Sequence, residues 1–365
     1  MPRVGARPTE PMNEPSYSTV VQYLADAHVP LRQLTGGGCV AVTLAGGRIV
    51  AMGFSPDSPN LMWSNPRLHD TQLVAGSPEN LVGGFGGERL WFGPEIDFHW
   101  DGVPDWNKFA NNKIPVASDP GDYQFVQGDA QTITLYAKGE LRAHRGDRRV
   151  AFEVHRTIKL VEHPLPKSHA LMRDIQYVGI ESSHVLRITD GNGVIDLWHV
   201  LQVPVGSVFI APLKKEAKDE RAIALSYGLP GRWVESSDRI LWRYEGNEKA
   251  KCGLPVTSLT GRSAVIQELA DGRWNMLVRE FPVDPTARYC DHPHGVPRDD
   301  QVLQAWDGYG FGEMEFHSPA VDAIRGPREM TESDRLWAFG GQPNAVQALA
   351  TQLLGIAVGD LFKSY

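Results

Sequence analysis

Apolar and polar residues alternate with a period of two along most of this chain. Val40, Val42 and Leu44 alternate, the segment AGG turns the chain, and a second apolar run begins at Ile49, which together predict a hairpin. The same alternation recurs in QTITLYAKGELRAH, RRVAFEVHRTIKLVE, MRDIQYVGIES, VLRITDGNG, RILWRYEG and AVIQELADGRWNMLVREF. Many strands in succession with few helices between them favour an all-β antiparallel sandwich over parallel βαβ units.

Only two segments have the spacing of amphipathic helices. In SYSTVVQYLADAHVPL, Ser18 is a candidate N-cap and apolar residues recur at helical spacing from Val21. In QPNAVQALATQLLG, Pro343 suits a first helical turn and Gly355 suits a C-terminal stop, which predicts a helix near 343–354.

The sequence predicts one large domain with a short flexible start. Residues 1–16 are rich in proline and charge, as is typical of a flexible tail. No internal repeat or low-complexity linker divides the rest, so residues 17–365 are predicted to form a single β-sandwich domain with a few peripheral helices.

Composition and charge narrow the classes of partner. The 365-residue chain has a formal net charge of −8 and no run of basic residues, which argues against nucleic-acid binding. Its three cysteines, Cys39, Cys252 and Cys290, are widely spaced and suit reduced thiols rather than a disulfide framework. No secretory signal and no stretch of about 18 apolar residues occurs, so we expect a soluble, cytoplasmic protein without membrane partners.

A glycine-rich segment, NLVGGFGGERLWFGPE, is the first candidate for a binding element. No Lys-Ser/Thr pair follows its glycines, so it does not match a phosphate-binding loop, and close backbone approach is the better interpretation. It places Glu88, Arg89 and Trp91 beside a predicted cleft, where Arg offers a fork of donors and Trp a flat apolar face. A surface ion pair is the alternative for Arg89.

Two further segments carry ionisable side chains. LWHVLQVP contains His199 among aliphatic residues, either as a core histidine or as a catalytic one. GEMEFHSPA sets Glu313, Glu315 and His317 on one face of a predicted strand, where two nearby carboxylates raise the pKa of one of them. A solvated face is the alternative for this second segment.

YCDHPHG offers Cys290, Asp291, His292 and His294 as possible metal ligands. Their spacing matches no standard zinc pattern, so a polar loop is the preferred interpretation. The sequence also lacks a G-x-S-x-G element, which argues against a serine hydrolase.

The order of these segments resembles the galactose-mutarotase-like superfamily, which includes the aldose 1-epimerases. GGERLW resembles the segment that holds sugar hydroxyls, LWHVLQVP the segment with the general acid, and GEMEFHSPA the segment with the general base, while KAKCGLP and YCDHPHG resemble the later part of that domain. The resemblance covers Gly36 to Leu354, but Val200 and Leu201 replace aromatic residues of the family pattern. Its second histidine has several candidates here, namely His144, His155, His184 and His292.

The resemblance implies a supersandwich with a concave sugar cleft and a catalytic pair of Glu315 as base and His199 as acid. We expect these two side chains to face each other across one sugar ring, with Glu315 preferred to Glu313 because it matches the family base and precedes the Ser318-Pro319 break. The substrate-binding residues implied are Arg89, Trp91, Glu88, Asp291, His317 and Lys251.

The implied activity is the isomerisation of a small-molecule sugar by a monomer or homodimer without a metal or organic cofactor. Two alternatives remain open. One is a carbohydrate-binding or sensing protein that has lost turnover, and the other is a lyase or glycoside-processing enzyme on the same scaffold.

Overall fold

Two ten-stranded antiparallel sheets form the core of the structure in a computed structural model, which confirms the predicted all-β sandwich. The structure describes residues 14–76, 81, 83–104, 111–166, 169–215, 223–225, 233–247, 249–291, 299–359 and 361–362. The strands are, in chain order, β1 (Leu31–Thr35), β2 (Cys39–Thr43), β3 (Ile49–Gly53), β4 (Glu88–Gly93), β5 (Gln124–Gly128), β6 (Thr132–Arg142), β7 (Arg149–Leu160), β8 (Ile175–Gly191), β9 (Val194–Pro204), β10 (Val208–Pro212), β11 (Ile223–Leu225), β12 (Trp233–Glu235), β13 (Arg239–Arg243), β14 (Ala250–Pro255), β15 (Arg262–Glu268), β16 (Trp274–Glu280), β17 (Gln301–Gly308), β18 (Phe311–His317), β19 (Val321–Asp322) and β20 (Glu329–Gly341).

The chain passes several times between the two sheets, in runs of one to four strands. The first sheet has the order β1-β2-β3-β4-β9-β18-β17-β14-β11, with β19 also paired to β9. The second has the order β12-β13-β10-β15-β16-β20-β8-β7-β6-β5. The predicted hairpins β2-β3 and β15-β16 are both present.

Four helices in the described part of the chain decorate the sheets: α1 (Tyr17–Asp26), α2 (Thr71–Gly76), α3 (Glu95–Phe98) and α4 (Pro343–Leu354). None of these helices is long and apolar enough to cross a membrane. The backbone N–H of Thr19 donates to the side chain of Ser16, so the N-cap of α1 is Ser16, and the prediction of Ser18 is wrong. Ser18 lies inside the first turn, where its side chain is exposed.

The amphipathic face of α4 covers the outer side of the second sheet. Val346, Leu349 and Leu353 pack in one apolar cluster with Met276 of β16 and Phe339 of β20. The helix ends where the sequence predicts, because Gly355 adopts the left-handed conformation that favours glycine.

Most of the predicted flexible tail, residues 1–16, lies outside the described residues, but its last part is packed. The backbone N–H of Ser64 donates to Glu14 Oε2 at 2.9 Å. Burial raises the pKa of this Glu14 carboxyl to about 8. Glu14, within the predicted tail, therefore packs against the rest of the structure.

The side chains of β9 point alternately to the inner and the outer face of the first sheet. Ile195, Leu197 and Leu201 point into the apolar core between the sheets, whereas Trp198 and Val200 belong to a separate cluster on the outer face of the first sheet. Because side chains alternate along a strand, ionisable residues of this sheet are divided between an inner and an outer face.

The glycine-rich segment before β4 brings backbones into close contact, as the sequence predicts. A Cβ at Gly87 would lie 2.1 Å from the carbonyl oxygen of Ile49, and Gly87 has φ +78°. Gly272, at a hairpin turn, has nearly the same φ, +79°, but a Cβ there would meet no atom within 4 Å. Of these two glycines, only Gly87 therefore combines left-handed backbone with a backbone clash.

We expect Gly87→Ala to lower the free energy of unfolding by about 3 kcal/mol or more, because it adds a clash to backbone strain. Gly272→Ala is the matched control and should cost about 1 kcal/mol from strain alone. Urea denaturation measures both. Equal losses in the two variants would contradict the close approach at Gly87.

Candidate functional site

The outer face of the first sheet gathers most of the predicted site residues. In the register of the strands, Arg89 of β4 and Glu315 of β18 both lie opposite Val200 of β9. Trp91 and His317 likewise both lie opposite Trp198. We call this group, with Glu313 of β18 and Lys251 of β14, the outer-face site; its residues are Arg89, Trp91, Trp198, Lys251, Glu313, Glu315 and His317.

Glu315 has one oxygen held by the protein and one available. Its Oε2 accepts a hydrogen bond from Trp198 Nε1 at 2.7 Å and lies 3.1 Å from Lys251 Nζ. Its Oε1 is buried and has no hydrogen-bond partner among the described residues. A buried acceptor left unpaired costs about 1–3 kcal/mol, so water or a ligand hydroxyl is needed at this oxygen.

Lys251 links Glu315 to α3. Its Nζ also lies 3.2 Å from Glu95 Oε2 and 4.6 Å from the centre of the Trp198 ring. Burial alone would lower the pKa of Lys251, but the carboxylates of Glu315, Glu95 and Asp291 raise it above its ordinary value. The ammonium group therefore stays charged beside Glu315.

His317 is oriented by two aspartates. Its Nδ1 lies 3.2 Å from Asp196 Oδ1, its Nε2 lies 3.6 Å from Asp291 Oδ2, and its ring stacks on Trp198. Burial alone would lower the pKa of His317, but the two carboxylates raise it above its ordinary value. Its Nε2 has no hydrogen-bond partner in the described part of the chain, so it can form a hydrogen bond with a ligand.

Glu313 lies one strand repeat before Glu315 on the same face. Its Oε1 accepts hydrogen bonds from Arg89 at 2.8 Å and Gln202 at 3.2 Å. Arg89 in turn stacks 3.8 Å from the centre of the Trp91 ring. Burial raises the pKa of Glu313 to about 7, although Arg89 opposes the rise. The pair with Arg89 decides between the two interpretations of that residue, because it is buried and not a surface ion pair.

A second imidazole in this region, His99, was not found from the sequence. It follows α3, and its ring lies 5.2 Å from that of Trp91 and 5.5 Å from that of Trp198. Burial lowers the pKa of His99 to about 4, and its Nε2 has no partner among the described residues. No periodic pattern in EIDFHW indicated its position, because α3 is only four residues long.

The structure does not place His199 in the outer-face site, so the predicted pair of His199 and Glu315 is wrong. His199 points between the sheets, where its Nε2 lies 2.6 Å from Glu332 Oε1 and its ring stacks on Phe316. Glu315 points to the opposite face, because it neighbours Phe316 on β18 and side chains alternate.

The prediction that Glu88 lies in the substrate-binding site is also wrong. It alternates with Arg89 on β4 and therefore faces inward, where its carboxylate accepts a hydrogen bond from Arg156 of β7. Burial alone would raise the pKa of Glu88, but Arg156, His199 and Arg279 hold it well below its ordinary value.

These inward residues form a second polar group, here called the inter-sheet cluster. It consists of Glu88, Arg156, His184, His199, Arg279, Glu332 and Asp334, none of them more than 7% exposed. Of the four candidates for the family's second histidine, His184 lies in this cluster, His144 and His155 are exposed, and His292 is outside the described residues.

Asp291 is bound by hydrogen bonds at the edge of the outer-face site. Its Oδ1 accepts from the backbone N–H of Glu95 at 3.0 Å, and its Oδ2 accepts from Gln304 Nε2 at 2.7 Å. Two other residues of the possible metal set, His292 and His294, lie outside the described residues.

Glu313 gives the site a predicted pH signature. Because folding raises the pKa of Glu313 from 4.5 to about 7, the folded chain binds this proton more tightly than the unfolded chain. The stabilisation that this proton provides is complete below the pKa of Glu313 in the unfolded chain. It is lost as the pH rises through the pKa of Glu313 in the folded chain. We therefore expect the stability of wild type relative to Glu313→Gln to fall between about pH 5 and pH 8.

Thermal unfolding across this pH range measures the difference. The exposed Glu268 at the end of β15 supplies the control, and Glu268→Gln should leave the pH profile of wild type unchanged. A Glu313→Gln profile parallel to that of wild type would refute the raised pKa.

The fold is shared with solved structures of galactose mutarotase-like proteins. An Escherichia coli K12 protein provisionally named aldose 1-epimerase superposes with a TM-score of 0.51 at 10% identity, over 85% of this chain and 99% of that one. A galactose mutarotase-like protein from Lactobacillus casei gives a TM-score of 0.47 at 9% identity, over 86% and 99% of the two chains. The GalM/aldose epimerase homologue from C. elegans gives the same TM-score and identity over the same shares.

At this level of identity the similarity extends to the fold and not to the activity. No curated protein matches the sequence. A family profile described as "Family of unknown function (DUF6786)" matches residues 45–285, about two thirds of the chain. The matched residues include β4, β9 and β14, which carry four of the seven residues of the outer-face site. The chain therefore belongs to this family of unknown function, and its fold is that of the galactose mutarotases.

Proposed function

We propose that the protein is a sugar isomerase of the aldose 1-epimerase type that works at the outer-face site. The observation that carries the proposal is that Glu315 Oε1 and His317 Nε2, two positions apart on one strand face, are both buried without a hydrogen-bond partner in the described part of the chain. An acid and a base that must reach one substrate need this placement. The mutarotase-like fold is a further, general support.

In the proposed reaction, Glu315 Oε1 removes the proton of the anomeric hydroxyl while protonated His317 donates a proton to the ring oxygen. The bond between the anomeric carbon and the ring oxygen breaks, a carbonyl forms, and rotation followed by the reverse transfers gives the other anomer. Asp196 and Asp291 favour the protonated imidazole, which replaces His199 as the acid. The indole of Trp198 orients Glu315 by binding its other oxygen.

Arg89, Trp91 and Glu313 have positioning roles in this proposal. Arg89 is held between Glu313 and the Trp91 ring, so its remaining donors are fixed in direction. The residues of the site are at most 8% exposed. A sugar therefore reaches them only after neighbouring parts of the structure move.

One observation favours a second function, carbohydrate binding without turnover. Lys251 Nζ lies 3.1 Å from Glu315, and an ion-paired carboxylate is a weaker base. In that case the same site would bind sugar hydroxyls without exchanging protons.

Anomer interconversion followed by NMR over a panel of neutral pentoses and hexoses tests the proposal. We expect acceleration over the spontaneous rate for at least one sugar. Calorimetric binding without acceleration would favour the binding function, and a change in product mass would indicate a lyase or hydrolase. A protein that neither binds nor converts any sugar of the panel would overturn both functions.

A further inference from the structure

The inter-sheet cluster contains a group of side chains with the geometry of metal ligands. His184 of β8, His199 of β9 and Glu332 of β20 each offer one ligand atom, and these atoms lie within 4.8 Å of one another. The pairing of β8 with β20 places His184 directly opposite Glu332, and His199 reaches them from the other sheet. Three strands of two sheets thus converge on one point.

Several atoms at this point have no partner although they are fully buried. Both ring nitrogens of His184, Glu332 Oε2 and Asp334 Oδ1 have no hydrogen-bond partner within the described residues. A histidine with 0% exposure normally has at least one nitrogen paired. Both nitrogens of His184 are therefore able to bind a further group.

The distances suit a small ion with nitrogen and oxygen ligands. His184 Nδ1 lies 3.8 Å from Glu332 Oε1, and His199 Nε2 lies 2.6 Å from the same oxygen. A tetrahedral ion with bonds of about 2.0–2.1 Å separates its ligand atoms by about 3.3 Å. To bind such an ion, the carboxylate of Glu332 would need to shift by less than about 1 Å, and the ligand nitrogens of the two histidines, which lie within 4.8 Å of each other, would also need to approach.

Neighbouring groups support a cation at this position. Asp334 Oδ1 lies 3.9 Å from His184 Nδ1 and is a candidate fourth ligand, while Arg279 orients that carboxylate through its other oxygen at 2.9 Å. With His199 neutral, as ligation of a metal requires, the cluster holds three carboxylates (Glu88, Glu332, Asp334) against two guanidinium groups (Arg156, Arg279), a surplus of one negative charge.

We propose that His184, His199 and Glu332, with Asp334 as a fourth ligand, form a buried site for a divalent transition-metal ion of the Zn²⁺ class between the two sheets. Two imidazoles exclude the hard cations Mg²⁺ and Ca²⁺, which prefer oxygen ligands alone. The site lies on the opposite face of the first sheet from the outer-face site, so the ion would stabilise the sandwich and take no part in sugar chemistry. Because the ligands are buried, the ion enters as the sheets come together.

Refolding of the full chain tests the site. Wild type is unfolded with chelator, then refolded in Zn²⁺ or in chelator, and its bound metal and Tm are measured after removal of free metal. We expect about one Zn²⁺ per chain and a Tm several degrees higher in the metal-refolded sample. His184→Phe, which keeps a ring of similar size, should lose the bound ion, and His155→Phe on the exposed face of β7 should keep it.

A wild type that refolds without bound metal and has the same Tm in Zn²⁺ and in chelator would overturn the proposal. Equal Zn²⁺ retention by His184→Phe would also overturn it. If His184→Phe does not fold, the visible absorption of Co²⁺-refolded wild type decides, since ligation by these residues gives intense tetrahedral bands and an unbound ion gives none. No sugar is involved in these measurements, so their outcome is independent of the proposed isomerase activity.

Discussion

Glu315→Gln is expected to slow anomer interconversion by about 10²–10⁴-fold, because glutamine cannot accept the anomeric proton. The substitution keeps the shape of the side chain, and its amide oxygen can still accept the hydrogen bond from Trp198. Sugar binding, measured by calorimetry, should therefore change much less than the turnover number. NMR exchange rates on the best sugar of the panel give the comparison.

His317→Asn should produce a loss in the same range, because it removes the proposed proton donor. The matched controls are the exposed residues Glu268 and His155, and neither Glu268→Gln nor His155→Asn should alter the rate. Full activity in Glu315→Gln, with wild type active, would remove Glu315 as the base. Loss of sugar binding together with activity would instead assign Glu315 to binding.

The largest expected effect on stability comes from Arg156→Met. Arg156 is fully buried, donates to Glu88 and to the backbone oxygen of Gly47, and joins the second sheet to the first. Its removal leaves the Glu88 carboxylate buried without its main partner, and breaking such a pair costs about 3–5 kcal/mol. Urea denaturation of the two proteins measures this difference.

The same strand supplies the control. Arg149 of β7 pairs with Glu140 and Asp190 at the surface and is 42% exposed, so Arg149→Met should cost at most about 1 kcal/mol. Replacing Glu88 by leucine in the Arg156→Met background should recover part of the loss, because the unpaired charge is then absent. A loss of equal size at Arg149 would show that burial does not determine the effect.

The sequence predicted shared faces within a strand better than it predicted pairing between strands. Glu313, Glu315 and His317 do share one face of β18, because the alternation of a strand is local. The face of His199 could not be determined in the same way. Both faces of β9 are buried, so LWHVLQVP has no polar side that distinguishes the inside from the outside.

The sequence does contain a signal for the inter-sheet cluster. On β7 the alternation Val150, Phe152, Val154, Ile158 places Arg156 on the apolar face. On β8 the same rule places His184 among Val178, Ile180, Leu186 and Ile188. Ionisable residues on the apolar faces of two neighbouring strands indicate a buried polar cluster between the sheets. Only the register of the two strands shows that these residues are adjacent.

The order of strands in the first sheet has a consequence for synthesis on the ribosome. Arg89 and Glu313 are in contact although 224 residues separate them, and 117 residues separate Trp198 from Glu315. Strand β9 pairs on one side with β4 and on the other with β18, which is translated more than 100 residues later. Until then an apolar strand with an unpaired edge is exposed to other nascent chains, so folding dominated by such distant contacts is slow and prone to aggregation.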